Sequence, residues 1–268
     1  MSEPATIEAV PIEAVIFDYG GVISARFFDN LDDFEDRMGY TRGSVHQLMF
    51  GDAHSHLGGD PVDGTCRVGA SPERRRRVSR RRAETTKGDD EGPIHDFHLL
   101  EMGRLSFDDY LAGLIRRAPD VIGKPLDPNA YLTFATTMPV LVQWPMVQRI
   151  QRLKREGIAL ALLTNNVKEF GSAWRATFPV DELFPIVVDS CEVGMRKPDR
   201  RIYELTCERV GVLPSAAVFL DDNLDNVNAA AALGIETVLV GPDSLEAIAA
   251  LDAILARRGV RRRGVKLR

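Results

Sequence analysis

The sequence predicts an α/β fold: an open parallel sheet covered by helices on both faces, with a helical segment inserted after the first strand. Five short apolar runs are separated by stretches with helical periodicity, and this alternation is typical of parallel sheets. The long segment 24–139 interrupts the alternation, because it contains no clear strand. The five apolar runs comprise residues 12–17, 158–163, 186–188, 216–220 and 235–240.

The helices between the later runs have recognisable starts and ends. Pro145 is suited to the first turn of one helix, which Gly157 ends;. Pro198 is suited to the first turn of another helix, which Gly211 ends. A third, alanine-rich helix covers residues 223–233. Helices in these positions can carry the chain from each strand to the next.

The inserted segment is predicted to be helical over residues 25–139, with one disordered stretch inside it. Ser106 followed by Asp109 is typical of a capped helix start before an amphipathic stretch to Arg117;. Residues 52–92 are rich in Gly, Pro, Ser, Asp and Arg and almost free of large apolar side chains. Because such a composition cannot offset the entropy lost on ordering, we predict that residues 52–92 are disordered.

Charge is distributed unevenly along the chain. The formal net charge is −5, but residues 66–87 carry nine basic and two acidic side chains, and residues 257–268 carry seven basic and no acidic ones. The remainder holds 18 basic against 37 acidic residues. An acidic body with two basic appendages does not favour a nucleic-acid partner. We expect the basic tail 257–268 to be disordered.

The composition favours a soluble cytoplasmic protein. Of the 268 residues, 44% are hydrophobic and 27% charged, as in ordinary globular proteins;. No apolar run approaches ~18 residues, so neither a membrane span nor a membrane partner is expected. The first 14 residues carry three glutamates and no lysine or arginine, unlike a secretory signal;. Three cysteines cannot build a disulfide framework and fit a reducing compartment;.

Polar side chains that can do chemistry stand near the ends of the predicted strands. In open parallel sheets, ligands bind beyond the carboxyl ends of the strands, so these side chains can meet in one crevice. Converging carboxylates suit Mg²⁺. A metal together with a lysine suits a phosphoryl group, whose charge must be neutralised during transfer. The residues concerned are Asp18, Thr164, Lys197, Asp221 and Asp222.

Four short motifs resemble motifs I to IV of the haloacid dehalogenase (HAD) superfamily. They are Asp-Tyr-Gly-Gly-Val at 18–22, Leu-Thr-Asn at 163–165, Gly-Met-Arg-Lys-Pro at 194–198 and Phe-Leu-Asp-Asp-Asn-Leu-Asp-Asn at 219–226. The last two are especially similar to the branch that contains the N-terminal phosphatase domain of soluble epoxide hydrolase and glucose-1-phosphatase-like proteins.

The resemblance implies the Rossmann-like parallel sheet of the HAD fold with an inserted helical C1 cap. The hydrolase core would comprise residues 1–24 and 140–256, and the cap residues 25–139. Such a protein would be a hydrolase, and the motifs favour a phosphatase that acts on a small phosphorylated metabolite.

The resemblance also implies roles for individual residues. Asp18 would be the nucleophile and form an aspartyl-phosphate intermediate. Thr164 and the backbone amide of Asn165 would hold the phosphoryl oxygens. Lys197 would pair with both the phosphate and Asp18.

A Mg²⁺ site is part of the same resemblance. Asp18, the backbone carbonyl of Gly20 and Asp222 would bind the ion directly, and Asp221 would bind it directly or through water. Asn226 stands where the family often has an aspartate that orients the metal site, and its amide can still do so.

Gly20 departs from the phosphatase pattern, which is Asp-x-Asp. The side chain of the second aspartate is the general acid that protonates the leaving group and then the base that activates water. Glycine cannot do this, and loss of such a group typically lowers a rate by ~10²–10⁴. A positive φ at this position is one reason for a glycine here.

Three interpretations of Gly20 stay open. The protein is a phosphatase with a substitute acid or an acidic leaving group, a haloacid dehalogenase-type hydrolase, or a non-catalytic protein that binds a phosphorylated ligand. Dehalogenases also lack the second aspartate, but they need no metal. The pair Asp221 and Asp222 therefore favours metal-dependent phosphoryl chemistry.

Overall fold

The computed structural model of the protein describes residues 10–51, 94–137 and 140–262. Five parallel strands form a single sheet at its centre. Each of the five predicted apolar runs overlaps one of these strands, so the prediction of an α/β fold with a parallel sheet is confirmed. The strands are β1 (Ala14–Phe17), β2 (Ala159–Thr164), β3 (Ile186–Asp189), β4 (Ala217–Asp221) and β5 (Glu236–Leu239), in the spatial order β3–β2–β1–β4–β5.

The register of the central strands fixes where their carboxyl ends lie. Phe17, the last residue of β1, pairs with Leu162 of β2 and Leu220 of β4. All four residues of β1 are buried, as expected for a strand covered on both faces;. The first polar residue, Asp18, therefore stands just beyond the buried strand, at an edge that the ends of β2 and β4 share.

Residues 27–51 and 94–137 form a helical layer that we call the cap. Within these ranges the chain forms helices and turns and no strand, so the described parts of the inserted segment are helical. The cap has an apolar core of its own, in which the rings of Phe34 and Phe134 lie 4.8 Å apart and Tyr110 is buried. Its helices are α1 (Leu31–Met38), α2 (Ser44–Phe50), α3 (Asp96–Glu101), α4 (Phe107–Val121) and α5 (Pro128–Thr137).

Helices cover both faces of the sheet. Val15 and Phe17 of β1 pack into one apolar cluster, and Ala14 and Ile16 pack into another on the opposite face. The first cluster includes residues of the helices Trp144–Arg155 and Ser244–Arg258, and the second includes residues of the helices Arg200–Val210 and Leu224–Ala231. The core helices are α6 (Trp144–Arg155), α7 (Gly171–Arg175), α8 (Val180–Leu183), α9 (Ser190–Val193), α10 (Arg200–Val210), α11 (Leu224–Ala231) and α12 (Ser244–Arg258).

The N-terminal capping residue predicted for helix α4 is present. The Ser106 hydroxyl accepts a hydrogen bond from the backbone N–H of Asp109 at 3.1 Å and donates one to the Asp109 carboxylate at 2.7 Å. The helix runs on to Val121, four residues past the predicted end at Arg117. In α10 the start differs instead: Asp199 caps it, so the helix begins after Pro198 rather than at it.

The end of the chain also differs from its prediction. Helix α12 continues to Arg258, whereas the disordered tail is predicted to begin at residue 257. Both Arg257 and Arg258 pair with Glu236 of β5, and these ion pairs hold the last turn against the sheet. Residues 263–268 of the predicted tail and the predicted disordered stretch 52–92 lie outside the described residues. None of the described helices has the length and apolar character needed to cross a membrane.

Candidate active site

The carboxyl edge of the sheet brings together the polar residues predicted from the sequence. Asp18 follows β1, and its backbone N–H donates to the carbonyl of Leu220 in β4 at 2.9 Å. Asp221 is the last residue of β4, and Thr164 is the last residue of β2. Each of these three residues is at most 8% exposed. The strand register therefore determines the positions of these groups.

Lys197 is the buried cation of the site. Its ammonium nitrogen lies 2.8 Å from Oδ1 of Asp18 and 2.7 Å from Oδ2 of Asp221, and the residue is 0% exposed. Burial by itself lowers the pKa of a lysine, but here the charges of Asp18 and Asp221 outweigh it, so the pKa of Lys197 is raised;. The ammonium therefore stays charged and links two carboxylates.

Asn165 fixes the backbone that carries Lys197. Its side-chain Oδ1 accepts from the Lys197 N–H at 2.8 Å, and its Nδ2 donates to the Lys197 carbonyl at 3.0 Å. The resemblance assigns a role to the backbone amide of Asn165 and none to its side chain. The structure adds this second contribution, in which the loop after β2 holds the loop before α10.

Three carboxylates converge beside Lys197. One oxygen each from Asp18, Asp221 and Asp222 lies within 4.8 Å of the others. Burial, with repulsion from Asp221 and Asp222, raises the pKa of Asp18 well above its ordinary value despite Lys197. Burial and repulsion from Asp221 likewise raise the pKa of Asp222. Clustered oxygen donors that repel one another suit a hard divalent cation, so these residues fit Mg²⁺.

Asn226 contacts the same cluster. Its Nδ2 donates to both carboxylate oxygens of Asp221, at 3.0 and 3.1 Å, and its backbone carbonyl accepts from the Tyr203 hydroxyl. Helix α11 places it there, because Asn223 caps the helix through the N–H groups of Asp225 and Asn226. The amide of Asn226 is thus positioned to orient Asp221.

The two glycines after β1 have different reasons to be glycine. Gly21 has φ +73°, and a Cβ atom there would lie 2.2 Å from Oδ2 of Asp222. Gly20 is outside the left-handed region, and a Cβ there would have no atom within 4 Å. The expectation of a positive φ at Gly20 is therefore wrong. The positive φ belongs to Gly21, where the close approach of Asp222 also leaves no room for a Cβ atom.

Arg26 is a charged residue of the site that sequence reasoning missed. Its Nε lies 2.5 Å from Oδ2 of Asp222, and a terminal nitrogen lies 3.5 Å from the Asp222 carbonyl. The side chain is 34% exposed, against 13% for Asp222. The two residues are 196 positions apart, and no local motif marks Arg26, so only the folded chain reveals this pair.

A second missed pair joins the cap to the loop that carries Lys197. Nε of Arg196 donates to Oε2 of Glu101 at 2.7 Å, and the Ser190 hydroxyl donates to the Glu101 carbonyl at 2.6 Å. Burial raises the pKa of Glu101, although the charges of Arg196 and Lys197 oppose this. The cap carboxylate is therefore held by Arg196, the residue next to Lys197 in the same loop.

Known proteins resemble the chain over most of its length. A model of the haloacid dehalogenase-like hydrolase family matches residues 12–234. Acyl-CoA dehydrogenase family member 10 of Mus musculus is 34% identical over 172 residues, which are 63% of this chain and 15% of that protein. Bifunctional epoxide hydrolase 2 of Sus scrofa is 34% identical over 103 residues, 37% of this chain and 19% of that protein.

The chain thus spans less than a fifth of each of these two relatives. Other curated relatives are named as phosphatases or as (S)-2-haloacid dehalogenases. Among solved structures, a HAD family enzyme from Bacteroides thetaiotaomicron, in complex with magnesium and inorganic phosphate, superposes with a TM-score of 0.57. That likeness covers 87% of this chain and 96% of the other at 18% identity, and it speaks to the fold alone.

Proposed function

Because the chain belongs to the haloacid dehalogenase-like hydrolase family, we propose that it is a Mg²⁺-dependent phosphatase. Its substrate would be a small phosphate monoester. The observation that carries the proposal is the placement of Lys197 between Asp18 and Asp221, with Asp222 beside them. This arrangement would provide a nucleophile, a cation and metal-ligating carboxylates at one edge, as phosphoryl transfer requires.

Asp18 would attack phosphorus through one particular oxygen. Lys197 and the backbone N–H of Tyr19 both contact Oδ1, at 2.8 and 2.7 Å. Within the described part of the chain, no hydrogen bond engages Oδ2. Oδ2 is therefore the oxygen left to form the bond to phosphorus while the ester bond breaks. Water then cleaves the aspartyl-phosphate, which releases inorganic phosphate and restores Asp18.

Positive charge at the edge would stabilise the transferring group. Lys197 faces Asp18 and can neutralise a phosphoryl oxygen without moving far. The Thr164 hydroxyl and the Asn165 amide, at the end of β2, would hold the other oxygens. Mg²⁺, bound by Asp18, Asp221, Asp222 and the Gly20 carbonyl, would supply the charge that makes phosphorus more electrophilic.

The leaving group would have to depart without help from position 20. Gly20 provides no acid, and the space beside it is open. We expect aryl phosphates, whose phenolates leave without protonation, to react much faster than alkyl phosphates. Fast hydrolysis of alkyl phosphates would instead mean that another side chain, such as one from the cap, supplies the proton.

Gly20 also favours a second candidate, dehalogenation of a 2-haloacid, because displacement of halide by a carboxylate needs no acid. A third candidate is a protein that binds a phosphorylated ligand without turnover. The three candidate functions predict different results in one assay. The dehalogenase releases halide without metal, and the binding protein shows neither reaction but binds phosphate in a Mg²⁺-linked manner.

The test is a screen of aryl and alkyl phosphates and a 2-haloacid, with and without Mg²⁺. We expect Mg²⁺-dependent release of phosphate by the wild-type protein and its loss in Asp18→Asn, because an amide cannot attack phosphorus as a carboxylate does. Asp225→Asn is the matched control, since Asp225 is exposed and lies near the site in sequence. Wild-type activity in Asp18→Asn would overturn the assignment of the nucleophile.

A further inference from the structure

Arg26 stands at the boundary between the buried carboxylates and solvent. It lies two residues after Ser24, which forms isolated β-bridges with Gly20 and with Val142. Arg26 therefore lies where the core passes into the cap. Its guanidinium reaches Asp222, whose carboxylate lies against Gly21. Arg26 is therefore beside the Gly20–Gly21 turn, where the resemblance to HAD phosphatases implies a general acid.

Among the described residues of the site, Arg26 is the cation that pairs with Asp222. Lys197 is engaged by Asp18 and Asp221, both within 2.8 Å. In the described ranges, Asp222 has no ion pair other than the one with Arg26. Since a guanidinium is charged at every accessible pH, this pairing is not relieved by titration of Arg26.

A metal ion at the carboxylates must share Asp222 with this guanidinium. Arg26 contacts Oδ2 of Asp222, whose carboxylate is one of the three in the cluster, and adds a positive charge at the same place. Competition for the oxygen and Coulomb repulsion act in the same direction: both weaken the binding of a divalent cation.

A guanidinium released from Asp222 would still stand at the mouth of the site. Its side chain is already 34% exposed, and its planar set of donors matches the oxygens of a phosphate;. An anionic substrate that enters from solvent would therefore meet Arg26 before it meets the buried Lys197.

We propose that Arg26 competes with Mg²⁺ for Asp222 and, once the metal holds Asp222, contacts the anionic group of the substrate. The second half rests on the proposed phosphatase function for the identity of that anion, whereas the first half does not. The proposal predicts effects of opposite sign for one substitution. Loss of the guanidinium strengthens metal binding and weakens phosphate binding.

The experiment is calorimetric titration of the whole chain with MgCl₂ alone, and then with inorganic phosphate at saturating Mg²⁺. In Arg26→Gln we expect the Kd for Mg²⁺ to fall about fivefold, the size of one partly exposed ion pair. The Kd for phosphate should rise about tenfold, since a charge-assisted contact is lost. Arg26→Lys, which keeps the charge but not the fork, should leave Mg²⁺ binding near that of the wild type and weaken phosphate binding less.

Arg37→Gln is the matched control, because Arg37 is an exposed cap arginine whose one hydrogen bond among the described residues goes to the Asp33 carbonyl of its own helix. It should change neither constant. Unchanged or weaker Mg²⁺ binding in Arg26→Gln would overturn the competition, and so would a wild-type protein that binds no Mg²⁺. Unchanged phosphate binding would overturn the substrate contact. Neither titration needs turnover, so failure of the phosphatase assay leaves these outcomes distinct.

Discussion

The carboxyl edge of the sheet and the contacts that reach it from the cap side both contain ion pairs, but they are built differently. At the edge, Lys197 joins Asp18 and Asp221, and none of the three side chains is more than 11% exposed. On the cap side, Glu101 is as buried as the edge, at 10%, but each pair includes a more exposed arginine: Arg196 at 18% and Arg26 at 34%. The edge is fixed by strand register, whereas the cap contacts depend on how two layers pack.

This difference suggests a division of labour. Groups held by the sheet keep the geometry that bond making requires, because buried strands cannot shift separately. Groups that reach the site from the cap side can exchange partners without disturbing the sheet. Substitutions at three positions test this contrast, starting with the buried lysine.

Lys197→Met should have the largest effect. The substitution keeps much of the side-chain volume but leaves Asp18 and Asp221 buried without their shared cation. Removal of one partner from a buried ion pair typically costs about 3–5 kcal/mol. We expect the free energy of unfolding, measured with urea at neutral pH, to fall by that amount, together with loss of activity.

Lys154→Met is the control for this change, because Lys154 is an exposed lysine of α6. Exposed substitutions of this kind stay within about 0.5 kcal/mol. If Lys197→Met were equally mild, the edge would not be the rigid, charge-matched region described above, and the contrast with the cap side would fail.

The sequence was sufficient for the edge because its signals are local. Asp18 and Asp221 can be placed since each stands at the end of an apolar run, and parallel strands align their carboxyl ends;. The helix cap at Ser106 was predictable for the same reason, since its partner Asp109 is three residues away. The Asp18, Lys197 and Asp221 cluster therefore follows from fold class and motif order.

The cap-side pairs could not be predicted in this way. Arg26 and Asp222 are 196 positions apart, and Glu101 and Arg196 are 95 apart. Neither pair has a spacing that a helix or strand would impose, so each depends on the packed orientation of cap and core. The conformations of Gly20 and Gly21 were also beyond reach, because two adjacent glycines give no sign of which one carries the positive φ.

Gly20→Asp tests the edge of the sheet by adding a carboxyl group beside the three carboxylates. The backbone at position 20 tolerates a side chain, and no atom lies within 4 Å of its Cβ. An added carboxyl group would stand where the phosphatase pattern Asp-x-Asp has its acid. We expect the rate on alkyl phosphates to rise about tenfold, or ~1.4 kcal/mol, with little change on aryl phosphates.

Gly21→Asp is the matched control for Gly20→Asp. There the Cβ would collide with the carboxylate of Asp222 and the residue would keep φ +73°. We expect lower stability and no gain in rate. A gain from Gly21→Asp, or an equal gain on aryl and alkyl phosphates from Gly20→Asp, would mean that leaving-group protonation does not limit the reaction.

Glu101→Gln should have the smallest effect, and it tests the cap side. The glutamine side chain keeps an oxygen that can accept the hydrogen bond from Arg196. The contact between the cap and the loop that carries Lys197 is therefore retained. Burial raises the pKa of Glu101 despite Arg196, which means that folding penalises the charged form of this side chain relative to the unfolded chain;. Replacement by a neutral amide should therefore cost less than about 1 kcal/mol at neutral pH.

The stability of the wild-type protein relative to Glu101→Gln should depend on pH, and the raised pKa of Glu101 gives the direction. A raised pKa means that the folded protein binds the proton of Glu101 more tightly than the unfolded chain does. Its stabilising contribution is then complete below the ordinary pKa of 4.5 and is lost as pH rises through the raised value. Relative to Glu101→Gln, the wild-type protein should therefore lose stability across that interval. Glu182→Gln, an exposed substitution, should run parallel to the wild type. A wild-type protein that instead gained stability over Glu101→Gln as pH rose would show that the ion pair with Arg196 outweighs burial, and the cap contact would then resemble the edge rather than contrast with it.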